Sequence, residues 1–205
     1  MSFSGFSSTD FQVFHIDGLE ERMKAIQTHI QPKFRILGET LTNELSAKLG
    51  MEMFLHIAKH ARRTKNPPND TWLAIANNKR GYKKHPHFQV GLFDDHVFIW
   101  LAHIYELPNK EQIAKTFLEH AEKIRSLPND FLISDDHTQK NAQPLSEIDL
   151  TNVLERFQRV KKAEFLIGRH IAKNDPILQD GEALIRFIID TFDHLIPLYR
   201  LSLDA

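Results

Sequence analysis

The sequence contains no cysteine. That absence excludes a disulfide framework, a thiolate metal site and thiol chemistry together. No apolar run approaches the ~20 residues that span a bilayer. The opening Met1-Ser2-Phe3-Ser4-Gly5 lacks the charged and apolar blocks of a secretory signal. A cytoplasmic protein with no membrane partner is therefore expected. Acids are also scarce in one place. Between His56 and His87 lie Lys59, Arg62, Arg63, Lys65, Lys79, Arg80, Lys83 and Lys84 against the single acid Asp70, in a chain whose net charge is −1. A near-neutral chain has no general pull towards nucleic acid, so any attraction for anions is local to this stretch.

What is present fits an ordinary globular protein. Of 205 residues, 41% are hydrophobic and 26% charged, enough to bury a core without metal or cross-links. We read residues 1–205 as a single α+β domain. Phe11, Val13 and Ile16 suggest a short strand. Asp17 to Glu20 resembles a capping box opening a helix over 19–30, which Pro32 ends or kinks. Phe34, Leu37, Leu41, Leu45 and Leu49 mark a helix over 33–49 that Gly50 stops. Four strand-like segments follow, at 53–61, 71–77, 87–93 and 96–105. Turn-forming runs separate them: Asn66-Pro67-Pro68-Asn69-Asp70, Asn77 to Pro86, and Asp94-Asp95. This predicts a two-layer α+β sandwich, an antiparallel sheet with its meander near 53–105 packed against helices. A helix over 109–127, a short strand at 131–133 and an exposed loop over 134–144 come next. Ser146 is read as the cap of the following helix, 160–171 as a long strand and 180–196 as the last helix.

Several runs carry a resemblance. His56-Ile-Ala-Lys-His-Ala-Arg-Arg63, Asn66-Pro-Pro-Asn-Asp-Thr-Trp72, Lys79-Arg-Gly-Tyr-Lys83 and Pro86-His-Phe-Gln-Val-Gly-Leu92 resemble the YktB-like family of Bacillus and related bacteria. Ile16-Asp-Gly-Leu-Glu-Glu-Arg-Met23 is similar to that family as well. The resemblance implies a compact α+β domain and brings no activity or catalytic residue with it.

Strand side chains alternate between faces, so the meander can be sorted. Leu55, Ile57, Leu73, Ile75, Phe88, Val90, Leu92, Val97, Ile99 and Leu101 form an aliphatic face suited to helices. The other face carries Phe54, His56, Trp72, His87, Gln89, Phe98 and Trp100. It is either a platform that stacks a planar ligand or a second core under further helices. The Arg62–Asp70 and Asn78–Pro86 loops leave opposite ends of the second strand, roughly 23 Å apart at about 3.3 Å per residue. Unless the longer loop folds back, two basic patches or a groove are expected.

Arg62, Arg63, Lys79 and Arg80 are the best anion donors, because guanidinium offers a planar fork. Lys59 stands in the same run, and Gly81 permits a close backbone approach. Trp72 and Tyr82 are the candidate stacking groups. His60 and His87 are candidates for proton transfer. His56 with His60, and His85 with His87, lack a matching third ligand, so neither a metal nor a cofactor is indicated. Asp94-Asp95 and Asp135-Asp136-His137 read as turn and loop residues, and Asp190, Asp193 and His194 as solvated. The leading expectation is non-covalent binding of an anionic small molecule or nucleic-acid segment, aromatic moieties included, with no catalytic residue assigned. The alternatives are an enzyme acting on a phosphorylated substrate through histidine acid/base chemistry, and an interaction protein that docks an acidic partner.

Overall fold

The computed structural model describes residues 2–205. Alternation and turn chemistry act as expected in the middle of the chain. There β1 (Phe54–Ile57), β2 (Thr71–Ala76), β3 (His87–Leu92) and β4 (His96–His103) form an antiparallel meander. Asp94 and Asp95 make the tight β3–β4 connection, where the Phe93 N–H donates to the His96 carbonyl at 3.0 Å. Three more strands complete the sheet: β5 (Leu132–Ser134), β6 (Gln143–Pro144) and β7 (Phe165–Ala172). β7 pairs with all of β4, His96 opposite Ala172 and His103 opposite Phe165. The strand order is β1-β2-β3-β4-β7-β5-β6, and every pairing is antiparallel. The architecture is α+β, an antiparallel sheet packed against helices.

The helical segments depart from the sequence reading in instructive places. Phe11, Val13 and Phe14 are not in a strand: α1 (Ser8–Gln12) and a 3₁₀ turn (Val13–His15) bury all three. A short segment with four apolar residues among six fits either period, and here the helical one packs better. α2 (Leu19–Ala25) starts after Gly18, with no side-chain cap from Asp17. Pro32 neither ends nor breaks the helix that follows. The chain makes a π turn over Ile26–Ile30 and continues as α3 (Gln31–Leu49), with Pro32 in its first turn, where a missing N–H costs nothing. α3 ends as expected at Gly50, whose N–H closes the last helical bond to the Ser46 carbonyl and whose φ of +69° then turns the chain out of the helix.

The predicted helix over 109–127 is two pieces, α4 (Lys110–Glu119) and α5 (Ala121–Arg125), parted by the non-helical His120. Asp149, not Ser146, caps α6 (Leu150–Arg159) by accepting from the Asn152 N–H. The long strand begins at Phe165 rather than Val160. Asp180 caps α7 (Gly181–Leu203), accepting from the Ala183 N–H, and this helix runs on through Pro197.

The main core joins the aliphatic sheet face to the helices. Phe34, Leu37 and Leu41 of α3, Phe117 of α4, Phe157 of α6 and Ile188, Phe192 and Leu195 of α7 pack with Leu73, Phe88, Val90, Ile99 and Ile167. Arg169 of β7 shares this side, buried against the Phe131 ring and paired with Asp130 and with Asp190 of α7. Asp190 is thus an ion-pair partner, as is Asp193 with Lys48 at 2.9 Å, while both acids are exposed on the polar side of α7 as expected.

The opposite face holds a smaller cluster: Ala58, Trp72, Ala74, Phe93, Phe98, Trp100, Ala102, Ile104 and Leu166, with Tyr82, Leu132 and Ala142 packed on it. No helix contributes to that cluster. Connecting segments supply Phe93, Tyr82 and Ala142 in their place, so the face is neither an open platform nor a second helical layer. Phe98 and Trp100 are buried and present no stacking surface.

Candidate functional site

The smaller cluster ends at one corner of the sheet in a cavity of about 370 Å³. Three stretches of chain build it. The first is the segment leaving β1. Ala58 still pairs with β2, its N–H donating to the Trp72 carbonyl at 2.9 Å. Two residues later His60 turns out of the strand with φ +49°, the single non-glycine residue with positive φ among those described. Such backbone is uncommon for a histidine and persists only where the surroundings hold it, often at functional sites. His60 Nε2 lies 3.2 Å from Thr71 Oγ1, and its ring meets Trp72 edge to face. Lys59, Arg62 and Arg63 follow along the rim. Arg22 of α2 anchors the return of this segment, donating to the carbonyls of Ile16 (2.8 Å) and Pro68 (2.9 Å), just before Asp70.

The second stretch is the loop from Asn77 to Pro86, which folds back over the sheet. Gly81, at φ +70°, begins a 3₁₀ turn of Tyr82–Lys84. His56 Nε2 donates to the Asn78 carbonyl at 2.8 Å, and the Tyr82 ring packs on His56 and His87. Tyr82 Oη accepts from Trp72 Nε1 at 2.9 Å, while Lys83 Nζ sits 5.4 Å from the centre of the Trp72 ring. The two basic loops therefore meet at one end of β2. The separation expected for a simple meander is removed by this fold-back, and Lys83 joins Lys59, Arg62 and Arg63 around one cavity. An adjoining groove of about 560 Å³ shares Lys59, Arg62, Tyr82, Lys83 and Glu106 and extends towards Gly81 and Lys84.

The third stretch is the one read as an exposed loop, Ser134 to Pro144. It is folded inward at His137. The buried carboxylate of Glu164 accepts from the His137 backbone N–H at 2.8 Å and from Nδ1 at 2.8 and 2.9 Å. Because a carboxylate only accepts, Nδ1 carries the proton, and Nε2 is left with a lone pair or a second proton. Nε2 makes no hydrogen bond among the described residues, and the His137 side chain lines the cavity. Asp136, His137 and Glu164 place one ligand-type atom each within 4.8 Å of one another, a grouping apart from the His56–His60 and His85–His87 pairs weighed from the sequence. The proton on Nδ1 commits that nitrogen to Glu164 instead.

Burial sets the charges. It pulls the His60 imidazole down to about 4, with Arg63 and Lys83 adding to the effect, so His60 is neutral at pH 7. It pushes the Tyr82 hydroxyl up to about 12. It raises Asp70 to about 6 against the pull of His137, Arg63 and Lys83. Asp70 has no side-chain partner among the described residues and faces the cavity. Its folded value lies above the unfolded 3.8, so its contribution to stability is complete below pH 3.8 and is lost as pH rises through 6. Asp70→Asn is expected to stabilise the protein by roughly 3 kcal/mol at pH 8, at about 1.4 kcal/mol per pKa unit. At pH 4 it should change little. Urea denaturation at the two pH values measures the difference.

The family described as Domain of unknown function (DUF1054) matches residues 6–199. This chain belongs to the DUF1054 family. It is similar to a UPF0637 protein of Oceanobacillus iheyensis, 61% identical over 202 residues covering 98% of both chains. A UPF0637 protein of Shouchella clausii is 64% identical over 206 residues, covering all of this chain and 98% of the relative. One from Listeria monocytogenes serotype 4a is 55% identical over 204 residues and all of both chains. These relatives are consistent with the YktB-like resemblance carried by the sequence motifs.

Of the residues singled out from the DUF1054 sequence, Lys59, His60, Arg62, Arg63, Trp72 and Tyr82 line the cavity. Lys79, Arg80 and His87 do not. Lys79 lies over the Phe54 ring, and Arg80 is exposed on the far part of its loop. His87 is fully buried beneath Tyr82, with Nδ1 donating to the His85 carbonyl and Nε2 accepting from Gln89, so neither nitrogen is free. Asp70, Lys83, Glu106, His137 and Glu164 were missed as site residues. The one signal for Asp70 was its isolation as the single acid in a basic run. No local pattern pointed to His137 or Glu164, which meet only through the fold. No helix of the described residues is long and apolar enough to cross a membrane.

Proposed function

We propose that this DUF1054 chain binds a phosphorylated small molecule, of up to nucleotide size, in the cavity at Trp72. The observation that supports this reading is the convergence of Lys59, Arg62, Arg63 and Lys83 on one recess beside the neutral donors His60 and Tyr82. Cations gathered without paired acids are a standing attraction for an anion, and arginine matches the forked geometry of phosphate. The size is that of a small-molecule site, within the usual range of roughly 300–1,000 Å³. A long nucleic-acid strand fits less well. Trp72 is only 8% exposed, Phe98 and Trp100 are covered, and Lys79 and Arg80 stand apart from the recess.

Calorimetric titration with inorganic phosphate and with a nucleoside monophosphate tests the reading. Binding is expected to weaken as salt rises. Arg63→Ala and Lys83→Ala should each weaken it by about 10- to 100-fold, the worth of one hydrogen bond to a charged group. Arg80→Ala should have no effect. Equal losses at Arg80 and Arg63, or a single-stranded oligonucleotide binding far better than either small anion, would return the site to a diffuse nucleic-acid surface.

A further inference from the structure

The cavity holds more than an anion needs. Cations and neutral donors suffice to bind a phosphate, yet Asp70 adds a buried carboxyl group with no side-chain partner, among the very charges that would attract the ligand. His137 lines the same cavity, its ring fixed by Glu164 through Nδ1 and its Nε2 without a hydrogen-bond partner among the described residues. An imidazole held on one nitrogen by a buried carboxylate, with the other nitrogen free, is oriented for proton transfer. A carboxyl group that keeps its proton towards neutral pH is its natural counterpart, and burial holds Asp70 in that range.

Resting on the phosphate-binding reading, we infer that the site hydrolyses phosphate esters, with His137 as general base, Asp70 as general acid and Glu164 as the residue that positions His137. A water molecule beside His137 Nε2 attacks phosphorus. Its oxygen forms the new P–O bond while one of its protons passes to Nε2. The ester P–O bond breaks, its electron pair staying on the leaving oxygen, which takes the Asp70 proton. The alcohol and phosphate depart. The imidazolium then loses its proton to solvent and the Asp70 carboxylate regains one, restoring both groups. Arg62, Arg63 and Lys83 hold the non-bridging oxygens. No redox partner or outside co-reactant other than water enters the balance.

Leaving-group dependence provides the test. Phenyl phosphate and p-nitrophenyl phosphate differ mainly in how much protonation their leaving oxygens require. Wild-type protein is expected to turn over both. Asp70→Asn should lose about 10²- to 10⁴-fold on phenyl phosphate, and at least tenfold less on p-nitrophenyl phosphate, whose phenolate leaves unaided. His137→Gln should lose similar factors on both esters. Glu164→Gln should lower kcat with KM unchanged, the split expected of a positioning residue. Inorganic phosphate, titrated into each variant, reports whether the pocket is intact. If phosphate binds and Arg63→Ala weakens it, while wild type turns over neither ester, the catalytic inference falls and the binding site stands. If phosphate does not bind, both fall. Turnover with equal loss on both esters in Asp70→Asn would remove Asp70 as the acid and overturn the assignment.

Discussion

On acidification the protein is expected to unfold between about pH 5 and 4, well before most carboxylates are protonated. His87 and His103 are fully buried, and burial pulls each down to about 3; burial, with His96 stacked against the ring, holds His170 at about 3 as well. The folded values lie below the unfolded 6.5, so above pH 6.5 nothing is lost. As pH falls below that, the unfolded chain takes up protons that the folded chain refuses, and stability declines until pH 3. At pH 4.5 each of the three costs roughly 2.7 kcal/mol, or about 8 kcal/mol together, against a typical total of about 5–15. Asp70 works in the opposite direction, its proton restoring about 2 kcal/mol by pH 4.5. The histidines win. Circular dichroism across pH 3–8 gives the profile, and His103→Gln, which retains a polar group facing Ser202, should make its acid limb shallower by about one proton. A chain still folded at pH 3.5 would show that these histidines gain water or partners on protonation.

Trp72→Ala should cost about 3–5 kcal/mol of stability, the usual loss when a buried aromatic side chain is truncated to alanine. Trp72 is 8% exposed, touches His60 and His137 edge to face, and donates to Tyr82 Oη. Its removal takes out the wall between the three stretches that build the cavity and frees Tyr82 from its anchor. Tyr82→Phe removes only the hydrogen bond and should cost about 1 kcal/mol. Denaturant titrations of the two variants separate packing from hydrogen bonding. A loss under 1 kcal/mol for Trp72→Ala would mean that Trp72 serves the ligand and not the fold.

The strands of the meander were legible because alternation and turn residues are local signals, and β1 to β4 fall where those signals placed them. The neighbour of β4 was not, since β7 lies some sixty residues later and nothing local encodes that pairing. The same division runs through the site. Lys59 to Arg63 and Trp72 stand on or beside one hairpin, and their composition showed. Asp70 looked like a turn residue, His137 like part of a solvated loop, and Glu164 like one more charge after Lys161 and Lys162. Their chemistry arises from tertiary burial and from each other. The segment at Phe11 was misread for a related reason: Phe11 and Val13 alternate as strand residues do, and only their packing selects α1 and the 3₁₀ turn after it.

The π turn at Ile26–Ile30 sets the phase between α2 and α3. It accommodates one residue more than a regular helix would, and each helical residue advances the chain by about 100°. Losing one of those five residues would let the segment close into continuous α-helix with α2 near its present phase, whereas losing a residue from α2 after Arg22 or from the first turns of α3 would swing α2 about its axis by that angle. Arg22 would then point away from the Pro68 carbonyl, and the hairpin carrying Asp70 would lose its tether. A single-residue gap is therefore expected to be tolerated best at the π turn itself and worst in the regular helix beside it.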